Sequence, residues 1–509
     1  MGERGRVTLV KPPMQVARGN HLTLACPPLG LAYLASTLRA RGVEVDIVDA
    51  VGEAPAQITP IEGHRHLLRY GLTDEQVVRR IAADTRVIGV SAMFSEEWPV
   101  TREVIRAIGR AHPTAALIVG GEHASAAPEL VLRECPAVMA CVLGEGEETI
   151  VELVEHLEAG RSFETVAGVV YRDGDQHRRT ARRARIRAID AIPPPAWDLV
   201  PLHQYFRHGL GYGVKRGRSV PILATRGCPF QCTFCSSPQM WTTRWAARDP
   251  DAVLAEMEDA ITRYGAENFD FYDLTAIVRK DWIVAFSRRL IDRRWGITWQ
   301  LPAGTRSEAI DAEVAGYLYR SGCRNIAYAP ESGSPGLLRR IKKKINLDRM
   351  KESMRGAVDA GLMVKCNMIM GFPDETRAEM DETLHFCRDL ARLGVHDINV
   401  TPFCPYPGSE LFDDLIRSGR IPALGDDYFR MLASYSDLTQ STSFCDHVSS
   451  RTLSFLRWST MAQFYGASFA LHPDRIARLV ANLVTGKQTT RLDKALSDIA
   501  DRQLAAFRS

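Results

Sequence analysis

The stretch "RGCPFQCTFCSSP", residues 226–238, sets Cys228, Cys232 and Cys235 in a C-x3-C-x2-C spacing and offers no fourth metal ligand nearby. Thiolates are soft ligands that suit zinc or iron–sulfur clusters. A structural zinc site closes its tetrahedron with four ligands, usually in two pairs. Here the next cysteine, Cys323, is far along the chain. A four-iron cubane needs one ligand per iron, so three cysteines leave one iron open. That iron can chelate an amino acid and deliver an electron to it. A closed, non-catalytic zinc scaffold is the rival that the missing ligand argues against.

Working outward, "VPILATRGC" (220–228) is a strand that runs straight into the cysteines. Further strands are expected at "NFDFYDL" (268–274), "ITWQLPAGTR" (297–306), "NIAYAPESGS" (325–334), "MVKCNMIMGFP" (363–373) and "DINVTPFCPYPG" (397–408), with helical stretches such as 250–265 between them. Six βα units predict an open, partial barrel over 216–435 that binds ligands at the C-terminal ends of its strands. The cysteine loop lies at that end.

Residues 1–160 also alternate strand and helix. Strands are expected at 6–11, 43–50 and 87–93, within 115–125 where the strand leads into a glycine turn, and from residue 137, with helices at 27–42, 74–84 and 101–112 and a last one ending near residue 160. Five strands with right-handed crossovers predict a flavodoxin-like, doubly wound parallel sheet. No G-x-G-x-x-G follows the first strand, so a dinucleotide role is poorly supported. The turn "LGEGEETI" carries Glu145, Glu147 and Glu148, which repel phosphate but suit a helix start. Residues 161–215 read as a linker with a hairpin around Asp173-Gly174. Its basic run "HRRTARRARIR" (177–187) reads as a solvated face, or as an attractor of an acidic ligand. Residues 436–509 form a helical C-terminal segment. The aromatic-rich stretch 451–473 within it either packs on the barrel or caps a substrate.

The totals narrow the function. Among 509 residues, 45% are hydrophobic and 25% charged, with a net charge of +3. Electrostatics therefore make no case for a nucleic-acid partner. No apolar stretch is long enough for a transmembrane segment. The opening "MGERGRVTLVKPP" lacks a signal-peptide core and the residue-6 Ser or Thr of a myristoylation signal, so a cytoplasmic location is expected. The eight cysteines outside the trio are scattered, as small buried residues of a reducing compartment would be.

At the trio the chain resembles the radical S-adenosylmethionine (SAM) enzymes, whose signature places an aromatic residue, here Phe234, before the third cysteine. The resemblance implies that Cys228, Cys232 and Cys235 hold a 4Fe-4S cluster, that SAM occupies the fourth iron, and that reduction releases a 5′-deoxyadenosyl radical. It implies SAM contacts at Arg306 in "PAGTR", at Glu331 and Ser332 in "APESGS", and at Gly371 in "NMIMGFPDET", whose backbone would lie near the adenine. "PFCPYPGSELF" matches the usual ending of the sixth strand. Where many members carry a Gly-Gly-Glu-like turn, this chain reads "FYDLTAI", and Asp273 is the candidate substitute.

The N-terminal segments "PPLGLAYLASTLRARG", "VGGEHASAAPEL" and "VLGEGEETIVEL" resemble the cobalamin-binding domain that precedes the barrel in one large class of that family. Together the resemblance covers roughly residues 6–415. It implies cobalamin contacts at Gly30, Ser91, Gly120, Gly121, His123, Gly144, Glu145 and Gly146. No D-x-H-x-x-G follows the first strand, so a histidine lower ligand to cobalt is not expected. Met93, Phe94 and Trp98 are candidates to cover the lower cobalt face, or belong to the core. The activity implied is methylation of an unactivated carbon: one SAM methylates cobalamin, a second yields the radical that activates the substrate. Radical cyclisation or rearrangement is the alternative, separated by the absence of S-adenosylhomocysteine. A methylthiotransferase would need a compact second cysteine trio, which Cys26, Cys135 and Cys141 do not form. The partners implied are an external electron donor such as flavodoxin or ferredoxin and a small-molecule substrate, large and apolar or ring-bearing if the aromatic C-terminal stretch contacts it.

Overall fold

In a computed structural model, which describes residues 5–18, 25–306 and 309–508, the first parallel sheet forms as its apolar runs require. Residues 1–4 of the opening stretch lie outside the described residues. The strands are β1 (Arg6–Lys11), β2 (Val45–Asp49), β3 (Thr85–Ser91), β4 (Ala116–Gly120) and β5 (Val138–Val142). Their spatial order is β2-β1-β3-β4-β5, the doubly wound order of flavodoxin-like sheets. Val7, Leu9 and Val10 are all buried, so β1 is covered on both faces, as helix-flanked parallel strands are. The hairpin expected around Asp173-Gly174 forms as β6 (Val169–Asp173) and β7 (Gln176–Arg179), and adds antiparallel to β5.

The second sheet holds six parallel strands in sequence order: β8 (Ser219–Ile222), β9 (Asn268–Phe271), β10 (Thr298–Thr305), β11 (Cys323–Glu331), β12 (Met363–Met370) and β13 (Asp397–Pro402). β8 and β13 each pair with one neighbour, so the barrel is open. Helix signals punctuate it. Asp249 caps the helix Pro250–Tyr264, and Thr376 and Glu379 form a capping box on Arg377–Leu393.

One element was not visible in the sequence pattern. Met14–Ala17, Ile58–Ile61 and His64–Tyr70 form a small antiparallel sheet. Its strands are short and its central one reads "HRHLLRY", too polar for a clear alternation.

The helix Ser450–Leu471 packs against β13 and the helix Arg377–Leu393. Arg457 fastens it there: Nε donates to the Val400 carbonyl at 2.9 Å and Nη1 to Ser441 Oγ at 2.6 Å. The helices Asp474–Thr485 and Arg491–Arg508 follow. No described helix is long and apolar enough to cross a membrane.

The two sheets share their cores. Leu29, Ala32 and Tyr33 of the helix Leu29–Arg39 join the barrel core around Phe269 and Trp299. Trp98 and Val104, from the first sheet's side, pack in one cluster with Phe372, Phe403 and Phe429 from the barrel's side. Trp299 is fully buried, 5.0 Å from the ring of Phe271 and 5.6 Å from that of Phe286, and its Nε1 donates to the Ser321 carbonyl at 3.1 Å. Trp299→Ala is expected to destabilise the barrel by about 3–5 kcal/mol, read as a lowered urea midpoint by circular dichroism.

Candidate active site between the two sheets

The C-terminal ends of the first sheet's strands meet the loops at the C-terminal end of the barrel. Glu122, after β4, accepts a hydrogen bond from Ser236, next to Cys235. His123 meets Phe429 edge-on with ring centres 5.4 Å apart. Glu145 and Glu147, after β5, reach Arg226, two residues before Cys228.

That last contact is a buried charge network. Arg226 donates to Glu147 Oε1 at 2.6 Å and to Glu145 Oε1 at 3.3 Å, and all three residues are under 10% exposed. Burial works against the Arg226 charge, but Glu147 and Glu145 outweigh it and raise its pKa. The second Glu145 oxygen accepts from Arg185 Nε at 2.7 Å and from the Ile186 amide at 2.9 Å. Arg185 belongs to the basic run read as a solvated face. Arg178 and Arg179 are indeed exposed, but Arg183 and Arg185 turn inward onto Glu152 and Glu145. The acidic ligand of this run is the protein's own turn. Arg226 also lies over the Tyr33 ring, and the Tyr33 hydroxyl donates to Glu256, which pairs with Arg248 at 2.8 Å.

The three cysteines sit in the loop between Thr225–Arg226 and the helix Ser237–Trp241, all partly exposed. Seven of the other eight are buried, Cys26 being the exception. Asp273, 2% exposed, accepts from the Thr225 amide and hydroxyl and from the Ala224 amide, so it pins the strand end that launches the loop. Arg306 lies 3.5 Å over the Phe230 ring, inside the loop, and donates to the Lys344 carbonyl. Phe234 meets Phe372 edge-on at 5.6 Å. Gly371, at φ +90°, donates its amide to Glu375 at 2.6 Å.

Glu331 ends β11 in the left-handed region at φ 69°, a conformation that costs a non-glycine residue about 1–3 kcal/mol. Its carboxylate is held by Lys343 at 2.8 Å. Ser332 is fully buried against Thr383 at 3.0 Å. Thus Phe234, Asp273, Arg306, Glu331 and Gly371 ring the cysteine loop or the adjoining strand ends, while Ser332 is turned into the packing behind them.

On the facing edge, Ser91 pairs with Gly120 at the ends of β3 and β4. Gly121 has φ +111°, and a Cβ there would lie 2.5 Å from the Ala92 carbonyl oxygen. Gly144 has φ +74° and its amide is held by Ser125 Oγ at 3.0 Å. Gly30 is exposed with open space about it, and Gly146 packs on Leu34. His123 is buried between Trp98 and Phe429. Its Nδ1 is 2.9 Å from Ser95 Oγ, and its Nε2 has no partner. Burial pushes its pKa down to about 3, so the ring is neutral. Trp98 is core, whereas Met93 and Phe94 are exposed at the same edge.

Sequence reasoning missed Arg226, Arg185, Glu96 and Glu97. Glu96 and Glu97 follow Phe94; burial raises their carboxyls to about 7 and about 8, with each helped by a neighbouring carboxylate. The signal was present as "SEEW", two adjacent acids a few residues after β3, but nothing local marks them as half-buried.

The donor set fits an iron–sulfur cluster: three partly exposed thiols on one loop, braced by Asp273 and Arg306, in a chain whose other cysteines are buried but for Cys26. Among the described residues no three His, Cys, Asp or Glu side chains, these thiols included, are gathered as a preformed metal site. The facing edge fits a broad, flat group. Small residues at Gly120, Gly121 and Gly144 leave backbone accessible, and two exposed apolar side chains stand beside them.

Residues 16–154 match the B12 binding domain and residues 222–387 the radical SAM superfamily. An uncharacterized methyltransferase of Pyrococcus horikoshii is 31% identical over 80% of this chain and 82% of its own. An anaerobic magnesium-protoporphyrin IX monomethyl ester cyclase of Cereibacter sphaeroides is 27% identical over 81% of this chain and 63% of its own. The solved radical S-adenosylmethionine methyltransferase TsrM of Kitasatospora setae aligns with a TM-score of 0.64 at 18% identity, over 82% of this chain and 78% of that one, a likeness of fold.

Replacing Arg226 by Gln strands buried carboxylates and is expected to cost about 3–5 kcal/mol. The Arg226→Gln/Glu147→Gln double variant should recover part of that loss, measured as a double-mutant cycle by urea unfolding of the full chain.

Proposed function

This chain belongs to the cobalamin-dependent radical SAM family, and on that premise we propose that it methylates an unactivated carbon of a small-molecule substrate. The observation that carries this reading is the apposition just described, with the cysteine loop tied through Arg226 to the turn after β5. When bound, the cluster and SAM supply the 5′-deoxyadenosyl radical and cobalamin carries the methyl group. Cys228, Cys232 and Cys235 would hold the cluster. Glu331, kept in a strained backbone by its place at the strand end and by Lys343, would contact SAM beside Arg306. Phe234 and Gly371 would border it, with Ser332 supporting Glu331 from behind. Asp273, whose oxygens are committed to Ala224 and Thr225, would position the loop.

The edge formed by Ser91, Gly120, Gly121 and Gly144 would take the corrin, with Met93 and Phe94 against its face. Gly30 and Gly146 would line that crevice. Glu145 would act by holding Arg226 and Arg185, and His123, neutral and enclosed by aromatics, by shaping the pocket wall. The shared cores of the two sheets would keep water from the reacting carbon. An external flavodoxin or ferredoxin would supply electrons.

The cyclase among the relatives favours a second reading, radical cyclisation without net methyl transfer. Anaerobic incubation of the reconstituted protein with cobalamin, SAM and a strong reductant separates the two. Methylation predicts 5′-deoxyadenosine together with S-adenosylhomocysteine by mass spectrometry, and loss of the nucleoside in Cys228→Ala. Nucleoside without S-adenosylhomocysteine would turn the assignment to cyclisation. Neither product from protein with an intact cluster would overturn both.

A further inference from the structure

The floor of the barrel is built by a segment from far along the chain. Residues 486–494 cross the N-terminal ends of the barrel strands. Thr489 accepts from Asn325 Nδ2 at 2.8 Å, and Gln488 accepts from the Lys215 amide at 3.0 Å. The amides of Arg491 and Leu492 donate to Asp397 at 2.7 and 3.3 Å. Asp493 accepts from the Thr489 and Thr490 amides, each at 2.9 Å, and so fixes the turn.

This segment carries Arg491 inward. It is 9% exposed, its guanidinium carbon lies 5.5 Å from the Tyr212 ring centre, and its Nη1 is buried with no hydrogen-bond partner. Lys365 faces the same space. Along β12, Lys365, Asn367 and Ile369 keep partial access while Val364, Cys366, Met368 and Met370 are sealed, the period of a strand with one face on an internal space. Lys365 makes no hydrogen bond or ion pair among the described residues. Burial, reinforced by Arg491, pushes its ammonium down to about 7.

The neighbouring acids are already engaged. Asp397 holds the two amides of the floor. Asp270 accepts from the Gly213 amide, Asn268 and Gln300. Asp498 pairs with Lys494 at 3.6 Å. Asp397 offsets only part of the burial and of the Arg491 repulsion that disfavour the Lys365 charge, so an anion that meets both side chains would favour the charged pair. Aromatic side chains lie between the floor and the cysteine end. Tyr212 meets Tyr272 edge-on at 5.8 Å, and Tyr435 is within electrostatic reach of both Tyr212 and Glu331.

We propose that Lys365 and Arg491 form an anion subsite on the barrel floor, which takes a carboxylate or phosphate of the substrate while the carbon to be modified reaches toward the cysteine loop. Lys365 lies five residues before the end of β12, about 17 Å at the rise of a parallel strand. The substrate class is therefore an elongated molecule with an anionic end. This rests on the reading of the barrel as the substrate chamber.

The test is calorimetric titration of the full-length reconstituted protein with inorganic phosphate, and separately with acetate, at constant ionic strength. Saturable binding of at least one anion is expected, weakened at least tenfold in Lys365→Gln and in Arg491→Gln. Lys365→Arg and the surface control Lys351→Gln should retain it. Phosphate alone assigns a phosphorylated substrate, and acetate alone a carboxylate. No saturable binding by the wild type, or undiminished binding by both Gln variants, would overturn the subsite. Anion binding needs no SAM cleavage. Wild type that cleaves SAM but binds neither anion defeats only the subsite, and wild type that binds anions but forms no 5′-deoxyadenosine defeats only the proposed function.

Discussion

A guanidinium buried between two carboxylates holds this molecule in its working arrangement. Arg226 leads the cysteine loop, and Glu145 and Glu147 open the helix after the last parallel strand of the first sheet. Removing charges from water is costly, and the attraction repays that cost only when every lone pair finds a partner. Here Arg185 and the Ile186 amide donate to the second Glu145 oxygen, and the Tyr33 ring lies against the Arg226 guanidinium. Because these contacts form only when both sheets are in place, the network specifies their relative position as well as adding to their cohesion; the Arg226 Nε is the one buried donor of that guanidinium with no hydrogen-bond partner. It also joins the loop that carries the thiols to the crevice of the other sheet through side chains a few ångströms long.

The floor of the barrel follows a different logic. Its backbone groups are committed to Asp397, Asp493 and Asn325, which makes the segment stiff. Arg491, which projects from it, and Lys365, which faces it from β12, have no hydrogen-bonded counter-charge among the described residues. A rigid scaffold that presents a basic pair without hydrogen-bonded partners suits a ligand that supplies them. The cysteine end and the floor thus divide the work between chemistry and recognition.

Much of this was legible in the sequence because it is carried by local signals. The cysteine spacing, the strand that runs into it, and the alternation of apolar runs with capped helices each depend on residues a few positions apart. The doubly wound sheet and the six parallel strands were expected, and they are present. What escaped was long-range pairing. Glu145 and Glu147 read as helix-dipole partners because their counter-ions lie 40 and about 80 positions away, at Arg185 and Arg226. Arg185 read as solvated because its neighbours in sequence are. The sheet formed by Met14–Ala17, Ile58–Ile61 and His64–Tyr70 has strands too short and too polar to announce themselves. Arg491 and Lys365 lie 126 positions apart and meet only once the barrel closes on its C-terminal segment.

The central claim is that the cysteine loop and the glycine-lined edge of the first sheet face one chamber. Electron paramagnetic resonance tests it directly, on protein loaded with cobalamin in its paramagnetic cob(II) form and with a one-electron-reduced cluster. Two centres facing one chamber predict spin–spin coupling that broadens or splits both signals, relative to protein carrying either centre alone. A spectrum that is the plain sum of the two separate signals would contradict the account.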